Sequence, residues 1–117
     1  MEFVEAPAFT ELLPDYLNDE EYRALQARLV LNPEAGEVIP GTGGFRKARW
    51  ADPARGKGRR GGLRVIYYHF SSERQIWLVT LYGKGDVADL TAAEKRQLKD
   101  AIGAEAARRS ARTGGRS

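Results

Sequence analysis

Two strongly apolar runs, Leu63-Arg64-Val65-Ile66-Tyr67-Tyr68-His69-Phe70 and Gln75-Ile76-Trp77-Leu78-Val79-Thr80-Leu81-Tyr82, are separated only by Ser71-Ser72-Glu73-Arg74. Rich in β-branched and aromatic residues and joined by four polar ones, they read as a hairpin. Both are apolar on both faces over much of their length. That places them at the centre of a small antiparallel sheet with helices covering one face. With 117 residues the chain has material for one core, so every other segment must be fitted around this hairpin.

Upstream, residues 2–6 suit a short strand anchored by Phe3, with Pro7 as punctuation after it. Thr10 can cap a short helix through Leu12 and Leu13 that Pro14 limits. Asn18-x-x-Glu21 has the form of a capping box, and Tyr22, Leu25 and Leu29 share one face of the helix it opens. Asn32-Pro33 ends that helix, since the residue before a proline is pushed out of helical dihedrals. Gly36 to Gly44 is glycine-rich and reads as a connection. Gly41-Thr42-Gly43-Gly44 lacks the Gly-Lys-Ser/Thr ending of a phosphate-binding loop, so nucleotide binding there is rejected. Phe45 to Trp50 is a strand, Ala51 to Gly62 a basic glycine-rich loop, and Thr91-x-x-Glu94 opens a helix carrying Leu98 and Ile102. The expected architecture is α+β: a small twisted, mainly antiparallel sheet with helices on one face, in a single domain over residues 1–107. Residues 108–117 lack apolar periodicity and are expected to form a disordered basic tail.

The charges are unevenly placed. Residues 1–40 hold nine acids against Arg23 and Arg28, a net −7, whereas residues 41–64 hold eight bases against Asp52, a net +7. A dense basic block beside an acidic half is how a nucleic-acid face reads when it is confined to one part of a fold. Arg46, Lys47, Arg49, Arg55, Lys57, Arg59, Arg60 and Arg64 are interleaved with Phe45 and Trp50 and followed by Tyr67 and Tyr68. Cations track phosphates and rings stack on exposed bases, which suits single-stranded nucleic acid. Duplex DNA fits less well, because no helix carries the charge to enter a major groove.

Composition removes several chemistries. There is no Cys, so disulfides, thiolate catalysis and Cys-based metal sites are excluded. His69 is the only histidine, which rules out a two-histidine ribonuclease, and it reads as a structural strand residue. Asp52, Asp86 and Asp89 are too few for a two-metal site, and no metal or other cofactor is expected. No run of about 18 apolar residues is present to span a membrane. The opening Met1-Glu2-Phe3-Val4-Glu5 carries acids where a secretory segment needs bases, and a cytoplasmic address is the expectation.

What remains for phosphodiester chemistry is Lys, Arg and Tyr. Lys57, crowded by guanidinium groups, has its pKa pushed down by like charge and suits a base or proton donor. Arg64, a charge placed inside an apolar strand, can hold a phosphate bidentately. Lys84 follows the next strand and can meet both, Tyr82 beside it is open to packing or a site role, and one of Tyr67 and Tyr68 faces the cleft while the other is core.

The run Gly41-Thr42-Gly43-Gly44-Phe45-Arg46-Lys47-Ala48-Arg49, then Gly56-Lys57-Gly58-Arg59-Arg60-Gly61-Gly62-Leu63-Arg64-Val65-Ile66-Tyr67-Tyr68, Leu81-Tyr82-Gly83-Lys84 and Asp89-Leu90-Thr91, resembles the RelE/HigB-type toxins of bacterial type II toxin–antitoxin modules, and within them the HigB-like branch. The similarity covers about residues 10–105. It implies a small α+β toxin fold and a ribosome-dependent endoribonuclease that cuts translated mRNA without metal. It implies a cognate antitoxin, commonly a helix-turn-helix protein, through which alone the pair would touch operator DNA. It further implies that Lys57, Arg64, Lys84 and Tyr82 surround the scissile phosphate, with Arg46, Lys47, Arg49, Arg59, Arg60 and Tyr68 as RNA contacts. The proton donor stays open between Tyr82, Lys57 and Lys84. Two other classes compete: a non-catalytic RNA-binding module, and a protein whose acidic first forty residues chiefly pair with another small protein.

Overall fold

The computed structural model describes residues 1–50, 62–83 and 90–114, with side chains to residue 111. The element order is β1 (Glu2–Glu5), α1 (Pro7–Tyr16), α2 (Asp19–Leu31), β2 (Glu37–Val38), β3 (Arg46–Trp50), β4 (Leu63–Phe70), β5 (Gln75–Gly83) and α3 (Ala92–Gly114). The strands form one sheet in the order β1-β5-β4-β3-β2, parallel only where β1 joins β5. The fold is α+β, as expected, and the apolar hairpin occupies the positions its composition demanded: β4 lies at the centre, with β5 beside it.

Alternation along the strands divides the core in two. Leu63, Val65 and Tyr67 of β4 and Ile76, Leu78 and Leu81 of β5 pack with Phe9 and Leu17 on the α1 side and with Leu25 and Leu29 of α2. The intervening residues Ile66 and Phe70, with Phe45, Tyr82 and Ile39, form a second cluster that α3 meets through Ile102 and Leu98. Leu78 and Leu81 face the same way although three residues apart, because the β4–β5 register shifts between Ile66 and Tyr67. That irregularity accommodates one extra residue in β5 and turns its last part over, delivering Tyr82 to the second face.

The capping box of α2 is complete: the Glu21 N–H donates to Asn18 Oδ1 and the Asn18 N–H to Glu21 Oε1, both at 2.8 Å. Helix α1 begins earlier than Thr10, with Pro7 as its first residue, where a missing N–H costs nothing. Pro14 does not stop it, because the Leu17 N–H still reaches the Leu13 carbonyl at 3.0 Å and closes the last turn. Thr10 instead donates to Glu5 Oε1 at 2.6 Å, and Tyr22 donates to Glu5 Oε2 at 2.6 Å, so one carboxylate fastens β1 to both helices.

Burial and this bond to Glu5 push the Tyr22 hydroxyl well above the ordinary tyrosine pKa. A raised folded-state pKa contributes stability that is fully present below about pH 10 and fades as the unfolded chain ionises above it. Urea midpoints measured between neutral pH and pH 11 are expected to fall less steeply in Tyr22→Phe than in the parent; parallel curves would show that the Tyr22 hydroxyl is not held protonated by the fold.

Two expectations need correction. Glu37–Val38 forms a strand, pairing with Arg46 and Lys47, inside what reads as a mere connection. The folded region also does not end at residue 107: α3 runs to Gly114. Its hold beyond Ile102 is cationic rather than apolar. The Arg109 guanidinium sits 3.8 Å from the Phe70 ring centroid, donates to Gln75 Oε1 at 2.5 Å and to Glu105 Oε2 at 2.8 Å, and lies 3.3 Å from Glu73. A search for apolar periodicity passes over such an anchor.

Candidate RNA-binding face

The second sheet face is graded from one end to the other. Near the β4–β5 turn it is aromatic, a chain of rings running Phe45–Tyr68–Phe70–Trp77 at 5.2, 4.6 and 5.2 Å between centroids. At the opposite end it is cationic. Arg49 of β3 stands opposite Arg64 of β4, which stands opposite Tyr82 of β5, so one row crosses three strands. Directly opposed side chains lie about 5 Å apart at Cβ, and like charges so placed are mutually unfavourable. An anion set between the two guanidiniums reverses that sign. Arg64 is only 7% exposed, so its stem is fixed by packing while Arg49 reaches outward. Lys47 lies on the same face two residues before Arg49, half-buried.

Trp50 and Gly83 both pair with Leu63, so β3 and β5 end and β4 begins at the same rim as the Arg49–Arg64–Tyr82 row, next in sequence to segments 51–61 and 84–89. Lys57, Arg59, Arg60 and Lys84 fall on these segments and lie outside the described residues. What is placed is therefore the frame, in which Arg64, Tyr82, Lys47 and Arg49 share one end of the sheet face.

Arg46 is not part of it. It points to the α2 side, donating to the Gly36 carbonyl at 2.8 Å, with Glu34 Oε1 at 3.9 Å. Tyr67 is the core member of the tyrosine pair: buried, it donates to the Pro33 carbonyl at 2.8 Å and accepts from the Gly36 N–H at 2.9 Å, and burial raises its pKa. Tyr68 is half-buried in the aromatic chain. His69 pairs with Ile76, five residues along β4 from Arg64 and away from the cationic row.

The glycine loop before β3 is a packed element. Thr42 is fully buried, donating to the Ile39 carbonyl at 2.7 Å and accepting from the Phe45 N–H at 3.1 Å. Gly43, at φ +80°, lies so near α3 that a Cβ there would stand 3.0 Å from Ile102 Cγ2. Between this loop, Tyr82 and the first turn of α3 opens a cleft of about 160 Å³, walled by Val38, Pro40 and Tyr82 and bearing Glu37, Lys47 and Lys95. Lys95 carries no apolar or motif signal in the sequence; only the fold brings it to Lys47.

No protein-family model matches this sequence. Among the described residues no group of three or more His, Asp or Glu gathers as a metal site, and no described helix is long and apolar enough to cross a membrane.

Proposed function

We propose that the protein is the toxin of a type II toxin–antitoxin pair, a ribosome-dependent endoribonuclease that cuts translated mRNA in the cytoplasm until a cognate antitoxin neutralises it. The observation that carries this reading is the Arg49–Arg64–Tyr82 row at the rim next in sequence to the Lys57 and Lys84 segments. The motif resemblance supports it in part: it implies Arg64 and Tyr82 near the scissile phosphate and Arg49 as an RNA contact.

In this reading Arg64 and Arg49 bind two non-bridging oxygens of the phosphate and hold the charge that grows on them in the transition state. The ribose 2′-oxygen loses its proton to a lysine base and attacks phosphorus. The bond to the 5′-oxygen breaks, and that oxygen takes a proton from Tyr82, Lys57 or Lys84. The products are a 2′,3′-cyclic phosphate and a 5′-hydroxyl end. Lys47 and the half-buried Tyr68 carry the neighbouring nucleotides by charge and stacking.

The test is induction in bacteria with mapping of transcript ends. New 5′-hydroxyl ends inside translated frames, together with arrested protein synthesis, are expected. Salt-sensitive RNA binding with no new ends would leave a non-catalytic binding module instead. A small helix-turn-helix reading frame beside the gene, whose product co-purifies with this chain, is the expected antitoxin.

A further inference from the structure

The cleft between Tyr82 and α3 has a composition that phosphate binding alone does not explain. Its lining mixes apolar groups, from Val38, Pro40 and Tyr82, with a larger share of polar surface whose charges are of both signs. Glu37 and Lys47 are directly opposed across the β2–β3 pair, so the carboxylate and the ammonium group share one side of the opening. Lys95 enters from the first turn of α3, its stem passing over the backbone of Gly41. A purely phosphate-binding surface gains nothing from a carboxylate at its mouth, where it repels the ligand. A nucleobase does gain: its ring packs on Val38, Pro40 and Tyr82 while its edge presents donors that only an acceptor can satisfy.

We infer that this cleft holds one unstacked base of a single-stranded RNA and that Glu37 reads its exocyclic amino group. Lys47 and Lys95 take the flanking phosphates. The inference rests on reading this face as an RNA surface and adds to it a specificity residue. Adenine and cytosine present an amino group at equivalent positions, C6 and C4, to the Glu37 carboxylate. Uracil carries a carbonyl oxygen at C4, where cytosine carries its amino group, so at that position two acceptors face each other. The site therefore discriminates against uracil at one position of the bound strand.

Cytosine and uracil are the decisive comparison, because they share ring size and differ mainly in that amino group. Short oligocytidine and oligouridine of equal length, 2′-O-methylated so that they cannot be cut, would be titrated into the full-length protein at fixed salt and followed by fluorescence anisotropy. The cytidine strand is expected to bind roughly fivefold tighter, the worth of about one hydrogen bond. Glu37→Gln, which can donate as well as accept, should bring the ratio close to one, and Glu37→Lys should invert it. Glu37 is exposed on an edge strand, so both variants retain the fold. Equal binding of the two strands by the parent protein, or a ratio unchanged in both variants, overturns the proposal. Because the sugars are blocked, the result is independent of cleavage: an intact cytidine preference without cut ends in cells removes the nuclease reading alone, and cut ends with equal binding remove the base-reading cleft alone.

Discussion

Arg64→Met is expected to lower the yield of 5′-hydroxyl ends about a hundred- to thousandfold and to abolish growth arrest, while the protein stays folded. The size follows from the role assigned to the guanidinium. A preorganised donor aimed at charge that develops in the transition state is worth that much when removed. Methionine is the informative replacement because Arg64 is 7% exposed and its stem is packed in the middle of the sheet. Arg64→Ala removes the same charge and also opens a void beneath it, so activity loss there mixes chemistry with stability. Arg64→Lys keeps a positive charge without the two-pronged geometry and is expected to fall between the parent and Met. The readout pairs counted transcript ends with a thermal midpoint for each variant. Toxicity surviving in a well-folded Arg64→Met protein would remove Arg64 from the site, and with it the significance of the row it forms with Arg49 and Tyr82.

Gly36→Ala is expected to be the most damaging single methyl in the molecule, destabilising it by about 3 kcal/mol. An added Cβ would stand 2.9 Å from both the carbonyl carbon and oxygen of Lys47 and 3.0 Å from the Ala48 nitrogen. Those atoms belong to the backbone of β3, which is paired with β4 on its other side and cannot retreat without losing that register. Gly36 is also where Tyr67 and Arg46 meet, one accepting from its N–H and the other donating to its carbonyl. Displacing it leaves buried polar groups unsatisfied as well as overpacked. A fall in thermal midpoint on the order of 10–20 °C is expected. Tyr67→Phe, which deletes only the hydroxyl, isolates the hydrogen-bond share and should cost less, about 1–3 kcal/mol. A neutral Gly36→Ala would mean that β2 and β3 do not approach as closely as described.

These two positions also mark what the chain makes legible before it is folded. The β4–β5 hairpin, the Asn18–Glu21 cap and the place of Arg64 inside a central strand are readable because each is a local pattern: an apolar run, a spacing of three, a charge among apolar residues. Gly36 is not, since its close contact with Lys47 arises from tertiary placement. Arg46 and Lys47 are adjacent bases and look alike in sequence, yet strand alternation sends one to the helix side and the other to the cationic face. Lys95 looks like any helix-surface lysine until α3 is set beside the glycine loop. Arg109 hides for a related reason, because a guanidinium on a ring does the work that leucine spacing usually advertises.

The parallel pairing of β1 with β5 has a bearing on how the protein is made. Glu2 to Glu5 find their hydrogen-bonding partners at Gln75 to Leu78, so β1 is translated well ahead of the strand it joins. Sheet closure at that edge is thus late in synthesis, and contacts so distant in sequence are slow to form even in the finished chain. Until then Phe3 has no core to enter, and Glu5 has neither the β5 backbone beside it nor a fixed place from which to hold Tyr22. The cationic row waits as well: Arg49 and Arg64 are translated before Tyr82 of β5, so the row is complete only once the last strand of the sheet has been made.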